Sequence, residues 1–428
     1  MNPMELGTPV EEFVPESGKH PITALSIGAF LLRTGIAGTA AAAVFLLRTN
    51  LFVAPVVIGV IGSVQALAEM FFAPVLGRYA DEIGRRRFLV AGPLLGAAGA
   101  LLVSIAVTPF QVGAARIFEG IAAAAFVPTA MGVVAAATSK SRVGRNRASG
   151  FFELATLGGL AFGIFLGGYG WFHFGRATFL LFACLYVGAA IICFLFVPSV
   201  PPLHVSSMKT VFRAMFGPGP IRRFFPAWIL VWTVIGSFLP NASGILVQTR
   251  RGHLDPSQVL VDRFAPFYVG LVGASWVILL AIGVGIWILL LSWTRLRDAP
   301  RLKVMRWALL GTVLTSCSLL VANHFPFRLD VWLVPLVTLG MFTMAGFGPA
   351  ALAYLADCSE AYANDRSGLM AFYTLSLAGG GGLGAILGGI AVQIDKLDGL
   401  LFMSLGLAVL AWLSLSDRMS REGQPAPA

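Results

Sequence analysis

Apolar runs long enough to cross a lipid bilayer recur twelve times along this chain, and no other feature constrains its fold as much. A helix needs about 20 apolar residues to span the hydrocarbon core. In lipid, every backbone N–H and C=O must find its partner inside the protein, which restricts spanning chains to helices and closed barrels. Runs such as 24–47 and 399–416 have helical length. Charged and turn residues mark off spans at 24–47, 53–76, 88–108, 111–136, 149–171 and 176–197. They mark off six more at 224–247, 267–293, 304–322, 331–355, 368–393 and 399–416. The expectation is an all-α, multi-pass membrane protein. Composition agrees, since only 12% of residues are charged against about 25% in a soluble domain.

The net charge of +10 therefore speaks to topology and not to nucleic acid. Basic residues gather on the cytoplasmic side of membrane proteins. With the amino terminus inside, the inner loops hold Arg78, Arg85, Arg86 and Arg87, then Lys140, Arg142, Arg145 and Arg147. Lys209, Arg213, Arg222, Arg223 and the run around Arg295 to Arg306 fall on the same side. The outer loops are sparse in comparison. Both termini are thus expected in the cytoplasm. Residues 1–21 read as an exposed acidic tail, and 417–428 as a second tail. The four cysteines sit within or at the ends of apolar spans, which suits small buried hydrophobes better than a disulfide framework. There is no C-x-x-C or His cluster to hold a metal, and no G-x-x-x-x-G-K-[ST] to bind ATP. The chain reads as neither an enzyme nor a cofactor protein.

The sequence also repeats itself. Residues 159–168, GLAFGIFLGG, and 380–389, GGGLGAILGG, both fit G-x-x-x-G-x-x-x-G-G. NRASG at 146–150 answers NDRSG at 364–368, and FVP at 126–128 answers FGP at 347–349. Three matches in one order at nearly one offset predict two six-helix bundles, 22–197 and 224–416, joined by a polar linker at 198–223. Parallel repeats of this kind are a known transporter architecture, with substrate held between the halves.

Residues 77–87 read GRYADEIGRRR, between the second and third spans. Asp81 and Arg85 lie four apart and pair if that segment is helical. The pattern resembles the signature loop of the major facilitator superfamily. Arg116-Ile-Phe-Glu-Gly120 resembles that family's R-x-x-Q-G motif, with Glu119 in place of Gln. The fifth-span glycines resemble its antiporter motif, with Ile164 in place of a proline. Asp357, Glu360 and Arg366 are similar to its acidic-then-RG pattern between spans 10 and 11. The equivalent loop between spans 8 and 9, RLRDAPRLK, has lost the Gly and Asp spacing.

The resemblance implies a secondary transporter whose bundles rock about a central site. It makes Gly77, Asp81, Gly84 and Arg85 a gate, with Asp81 latching the halves near the start of span 11. In the family fold, spans 5 and 11 lie against spans 8 and 2. Gly159, Gly163, Gly167, Gly380, Gly384 and Gly388 are therefore expected as bearing surfaces between the halves. Along 357–389 there is also a general likeness to the major-facilitator proteins of magnetosome membranes, which implies iron as one cargo.

Five charges fall inside the spans: Arg33, Glu69, Arg116, Glu119 and Glu153. A charge at mid-bilayer costs about 2.5–3.5 kcal/mol on insertion scales, so such groups face a cavity or a partner. Arg116 and Glu119 share a helix face, and an ion pair that merely holds helices explains them as well as function does. Glu119 or Glu153 is the expected proton carrier, with Arg33 or Arg116 tuning it or binding an anion. Glu69 is expected at the inner surface with Asp81, Asp357, Glu360 and Arg366. The expected partners are protons, a small molecule or ion, and lipid. The expected setting is a monomer in a bacterial inner membrane or a magnetosome membrane. Export or exchange of a solute leads. Metal transport, small-anion import and a non-transporting sensor are the alternatives.

Overall fold

The computed structural model describes residues 21–137, 142–199, 220–249, 257–293, 300–325, 330–360 and 366–415. Helices α1 (Pro21–Phe45), α2 (Pro55–Ile83), α3 (Arg85–Ile105), α4 (Pro109–Ala137), α5 (Arg142–Phe174) and α6 (Thr178–Phe196) make the first half. The second half begins with α7 (Pro220–Leu246), α8 (Pro266–Trp293) and α9 (Arg301–His324). Helix α10 runs as Asp330–Met344 and resumes as Phe347–Glu360. The run Arg366–Ser414 breaks at Asp395 and Lys396, whose dihedrals are not helical. It thus holds α11 (366–394) and α12 (397–414). Ten described stretches are long and apolar enough to cross a membrane. Two of them, Gly150–Phe196 with 47 residues and Leu375–Ser414 with 40, are too long for one pass of about 20 and each hold two. That makes twelve. The linker expected at 198–223 lies mostly outside the described residues.

The signature segment is more helical than expected. Helix α2 continues to Ile83, and α3 starts at Arg85. Gly84 alone turns the chain, with φ +117°, a conformation that strains any side-chain-bearing residue. Gly77 serves a different need. A Cβ there would press on Pro128 of α4 at 3.3 Å.

The glycine stripes do not lie where the family resemblance placed them. A Cβ on Gly163 would meet the Thr34 carbonyl oxygen at 2.5 Å, and one on Gly159 would meet Arg33 Cβ at 3.1 Å. Gly167 abuts Gly38 and Ala41. All of these partners belong to α1, in the same half. In the second half Gly380 meets Trp232, Gly384 meets Thr233 and Gly388 meets Asn241, all on α7. The expectation that the stripes bear between the halves is therefore corrected: they weld α1 to α5 and α7 to α11. The reason is helical phase. Positions four apart share one face, and that face is already filled by the first helix of the same bundle.

The bearing is made by the glycine after each stripe. A Cβ on Gly168 would meet the Pro266 carbonyl oxygen at 2.5 Å and Gly270, on α8. A Cβ on Gly389 would meet the Pro55 carbonyl oxygen at 2.9 Å and Gly59, on α2. One residue further along a helix is a turn of about 100°, enough to change neighbours.

These contacts display the duplication position by position. Gly159 and Gly163 touch Phe30, Arg33 and Thr34, while Gly380 and Gly384 touch Ile229, Trp232 and Thr233. Each α1/α7 pair differs by 199 positions (30 and 229, 33 and 232, 34 and 233). The Thr34 hydroxyl donates to the Phe30 carbonyl at 2.7 Å, and the Thr233 hydroxyl to that of Ile229 at 2.8 Å.

Close packing in a bilayer depends on small residues, because lipid competes for every larger side chain. A leucine at Gly163 or Gly384 should lower the melting temperature in detergent sharply, since overpacking costs about 1–3 kcal/mol or more. Gly188→Leu is the control: a Cβ there would meet only Leu31 Cδ1, at 3.7 Å. Equal melting of Gly163→Leu and Gly188→Leu proteins would refute the weld.

Candidate functional site

Described contacts between the halves begin at one end of the molecule and stop partway. At the end where α1 finishes, Arg48 Nη2 lies 3.4 Å from Asp262 Oδ1, across the halves. Asp262 sits in the strap between α7 and α8 with φ +51°. That strap is tied down hard. Asp262 N–H donates to Ile245 O, and Phe264 N–H to Leu246 O. Gln258 donates to Asp395 Oδ1 at 3.2 Å, and Asn323 donates to Asp398 Oδ1 at 2.8 Å. Below the clasp come Val44 against Gly244, Gly59 against Gly389, and Gly168 against Gly270. The apolar cluster of Ala37, Ala161, Ile164 and Val277 follows. Met70 reaches Gly379. Past these points α4 and the second segment of α10 keep to neighbours in their own halves. Among the described residues, the halves are therefore joined at the Asp262 end, and no described contact joins them at the Arg85 end.

Arg33 stands where the halves part, one turn from Ala37 on the same face of α1. Its Nη2 lies 3.6 Å from Glu69 Oε1 of α2. Gln65 Nε2 donates to Glu69 Oε2 at 2.9 Å. Glu153 of α5, accessible to solvent, feels the same guanidinium. By helical phase Glu153 shares a face with Ile164, which packs on Gly273 of α8. That face looks toward the other half. Arg33 Nε is buried and has no hydrogen-bond partner, so the guanidinium is incompletely engaged.

Glu69 corrects one expectation. It is 5% exposed and bound to Arg33 and Gln65, and it is not part of a network with Asp81 at the inner surface. The aliphatic spans around it make a charge tolerable only beside a countercharge. The side chains of Asp357, Glu360 and Arg366 lie outside the described residues.

Glu119 corrects a second. It was expected to line the cavity, yet it is wholly buried within the first half. Arg116 donates to it, as does Tyr186 of α6, at 3.2 Å. The Thr39 hydroxyl of α1 lies beside it. Nothing in the sequence flagged Tyr186 or Thr39, because their partners come from distant spans. This cluster ties α1, α4 and α6 together.

Around Gly84, Arg85 Nε donates to Asp81 Oδ1 at 2.6 Å and Nη1 to the Gly132 carbonyl of α4 at 3.0 Å. Arg78 pairs with Glu82 at 2.8 Å. Asp81 is thus engaged within its own half. The side chains at the start of α11, where a latch was expected, lie outside the described ones. Trp228 is buried in the second half against Phe224, ring centroids 4.9 Å apart, so it faces neither lipid nor cleft.

Two six-helix bundles related by a pseudo-two-fold, joined at one end, define the architecture of this membrane protein. The chain belongs to the major facilitator superfamily: the model of that family matches residues 25–290. Over 177 residues it is 27% identical to Multidrug resistance protein 1 of Bacillus subtilis (strain 168), covering 40% of this chain and 43% of that protein. Over 163 residues it is 30% identical to the lysophospholipid transporter LplT of Yersinia enterocolitica, covering 37% of each. The chain thus spans less than half the length of these curated relatives. Crystal structures share the fold over nearly the whole chain. The nucleoside transporter NupG superposes with a TM-score of 0.71 at 15% identity, covering 92% of this chain and 97% of that one. A bacterial homologue of the human lysosomal transporter Spinster gives 0.70 at 13%, covering 95% and 98%.

Two measurements check the site. Removing one partner of a buried ion pair costs about 3–5 kcal/mol, whereas replacing both with apolar groups is often neutral. Arg116→Met and Glu119→Leu proteins should each melt well below wild type, and the double variant should recover most of the loss. A double variant no more stable than the singles contradicts a purely structural pair. The clasp is partly exposed and worth at most about 1 kcal/mol. In a background free of native cysteines, an Ile58→Cys protein should react with an impermeant maleimide roughly fivefold faster when Asp262→Ala is added. No acceleration would mean the clasp does not hold that end shut.

Proposed function

We propose that this chain is a proton-coupled secondary transporter that exports or exchanges a small solute by alternating access. The halves 22–197 and 224–416 move as units about the Gly168–Gly270 and Gly59–Gly389 bearings, with 198–223 as their tether. The dense basic loops at the Arg85 end support a cytoplasmic position for that end, with the cleft reached from inside. A monomer in a bacterial inner membrane suffices for this cycle.

The observation that carries the reading is Arg33 standing between Glu69 and Glu153 at the point where the halves part. A carboxylate there gains or loses its proton according to which side the cleft faces, and one guanidinium neutralises the charge of only one of two carboxylates. Glu153, reached by solvent, is the carrier. Glu119, sealed in the first half, is a brace. The names of the two curated relatives, a multidrug resistance protein and a lysophospholipid transporter, support an amphipathic cargo. Metal transport is not favoured: among the described residues no three His, Cys, Asp or Glu gather to hold a cation.

Reconstituted protein facing an imposed pH gradient should drive flux of at least one solute from a panel of fluorescent drugs and organic acids. Glu153→Gln protein with wild-type melting temperature should lose at least about nine-tenths of that flux, the usual weight of a positioned proton-transfer group. Gradient-driven flux persisting at the wild-type rate would remove Glu153 from the mechanism.

A further inference from the structure

Asp398 is a buried carboxylate that the transport reading leaves unused. It is 6% exposed and stands at the start of α12, at the Asp262 end of the molecule. The run from α11 to α12 breaks just before it, where Asp395 has φ −146° and Lys396 φ +46°. Gln258 of the strap closes that break from both sides. Its Nε2 donates to the Asp395 carbonyl at 3.3 Å and to Asp395 Oδ1 at 3.2 Å. Its Oε1 accepts from Leu397 N–H at 3.1 Å and from Asn323 Nδ2 at 3.2 Å. Asn323, wholly buried on α9, in turn holds the strap. Its carbonyl accepts from Val259 N–H at 2.8 Å and its Oδ1 from Leu260 N–H at 3.2 Å. Asp398 fixes the Asn323 side chain, accepting from Nδ2 on Oδ1 at 2.8 Å. Its other oxygen, Oδ2, lies 2.7 Å from Nε2 of His324.

His324 is the exposed member of this group. It is the last residue of α9, and solvent reaches 45% of its side chain. The charged groups on the elements around it are Asp398 on α12, Asp395 and Lys396 at the break, and Asp262 and Arg263 on the strap. Arg328 and the side chain of Asp330, toward α10, lie outside the described ones. Among the described residues, His324 is the only ion partner of Asp398. A cation at the C-terminus of α9 and an anion at the N-terminus of α12 also each suit their helix dipole.

We propose that His324 and Asp398 form a proton-operated lock on the strap, which holds the Asp262 end shut when the compartment it faces is acidic. A proton taken up by His324 turns its contact with Asp398 into a charge-assisted hydrogen bond, about twice as strong as a neutral one. Without that proton the buried carboxylate keeps only neutral donors, Asn323 and the imidazole, and a buried charge without a countercharge is costly. The effect travels by a short route. Asp398 holds Asn323, Asn323 holds Val259 and Leu260, and the same strap then presents Asp262 to Arg48. The strap's other anchor, Phe264 N–H on the Leu246 carbonyl, is backbone alone and does not titrate. Asp262 thus sits between one fixed anchor and one set by a proton. The held strap binds the proton and the slackened strap releases it, so by linkage acid favours the shut end and alkali loosens it. The lock is independent of the coupling role given to Glu153 above.

The test uses full-length protein, free of native cysteines and carrying the Ile58→Cys reporter. Labelling by the impermeant maleimide is timed at about pH 5.5 and about pH 8.5, on either side of the ordinary histidine range. Each rate is divided by that of the His324→Gln protein at the same pH. Glutamine keeps a neutral donor at this position. The ratio also cancels the ionisation of the thiol and of other groups, including His253, which lies outside the described residues. With His324 present, labelling should be roughly fivefold slower than in the His324→Gln protein at the acid pH and equal to it at the alkaline pH. A His324→Lys protein, charged at both, should label slowly at both. Asp398→Asn should abolish the acid difference; if that protein melts far below wild type, the exposed His324 series decides alone. In an Asp262→Ala background the acid difference should vanish, because the strap then has nothing to hold. Equal labelling of His324 and His324→Gln proteins at the acid pH would overturn the lock. An acid difference that survives Asp262→Ala would overturn its action through the strap.

Discussion

Backbone-to-backbone contact at glycine is the interaction on which this molecule depends. Lipid is as apolar as leucine, so no hydrophobic force drives these helices together, and packing must come from closeness. The stripe at Gly159, Gly163 and Gly167 lets α5 lie directly on the carbonyls of α1, and its counterpart at Gly380, Gly384 and Gly388 does so for α11 and α7. Each half is thereby made rigid about its first helix. Only then can a single further glycine on each side act as a bearing. Gly168 against Gly270 and Gly389 against Gly59 bring bare backbones together across the halves. Rigid welds and smooth bearings come from the same residue type, separated by one helical step.

The charges are arranged along the same division. Arg116 and Glu119 cost a large desolvation, which is recovered only because they meet each other and Tyr186 in full burial. Such a pair stiffens the first half and is insulated from the cleft. Arg33 is different. Its ion pair with Glu69 is longer than a hydrogen bond, its Nε is unpartnered, and Glu153 draws on the same charge. An under-satisfied group at a moving interface is one whose partners can be exchanged, and exchange is what a transport cycle needs. The clasp of Arg48 on Asp262 completes the arrangement by joining the halves at the far end.

Much of this was legible in the sequence. Twelve spans, their order, the duplication and the five charges inside the spans all follow from apolar run length and from the cost of charge in hydrocarbon. Asp81 and Arg85 pair as the spacing suggested, but across the Gly84 turn and not along one helix. What was not legible needed the third dimension. The template G-x-x-x-G-x-x-x-G-G showed two kinds of glycine, but a sequence does not say which neighbour each face meets, and the family resemblance assigned the stripe to the wrong one. Glu69 lies near enough to Asp81 in the chain to suggest one network, yet Arg33, from a different helix, claims it. Nothing in the sequence singles out Asp262. Only its left-handed backbone and the anchoring of its strap through Gln258 reveal a built position.

Duplication gives both halves one set of backbone positions, and chemistry then separates them. Phe30 and Ile229 accept the same threonine hydrogen bond; Thr34 and Thr233 donate it; Gly163 and Gly384 lean on the same carbonyls. At the equivalent place where one half carries Arg33, the other carries Trp232. A symmetric pair of arginines there would repel across the cleft and demand four carboxylates to balance them as Arg33 is balanced now. A symmetric pair of tryptophans would leave Glu69 and Glu153 with no countercharge in hydrocarbon. Confining the titratable groups to one half keeps their mutual distances fixed while the halves move, because both α2 and α5 are packed within that rigid body. The other half then needs only to present a surface that opens, closes and recognises shape. The division of labour follows from electrostatics: charges that must stay coupled belong on the same side of a hinge.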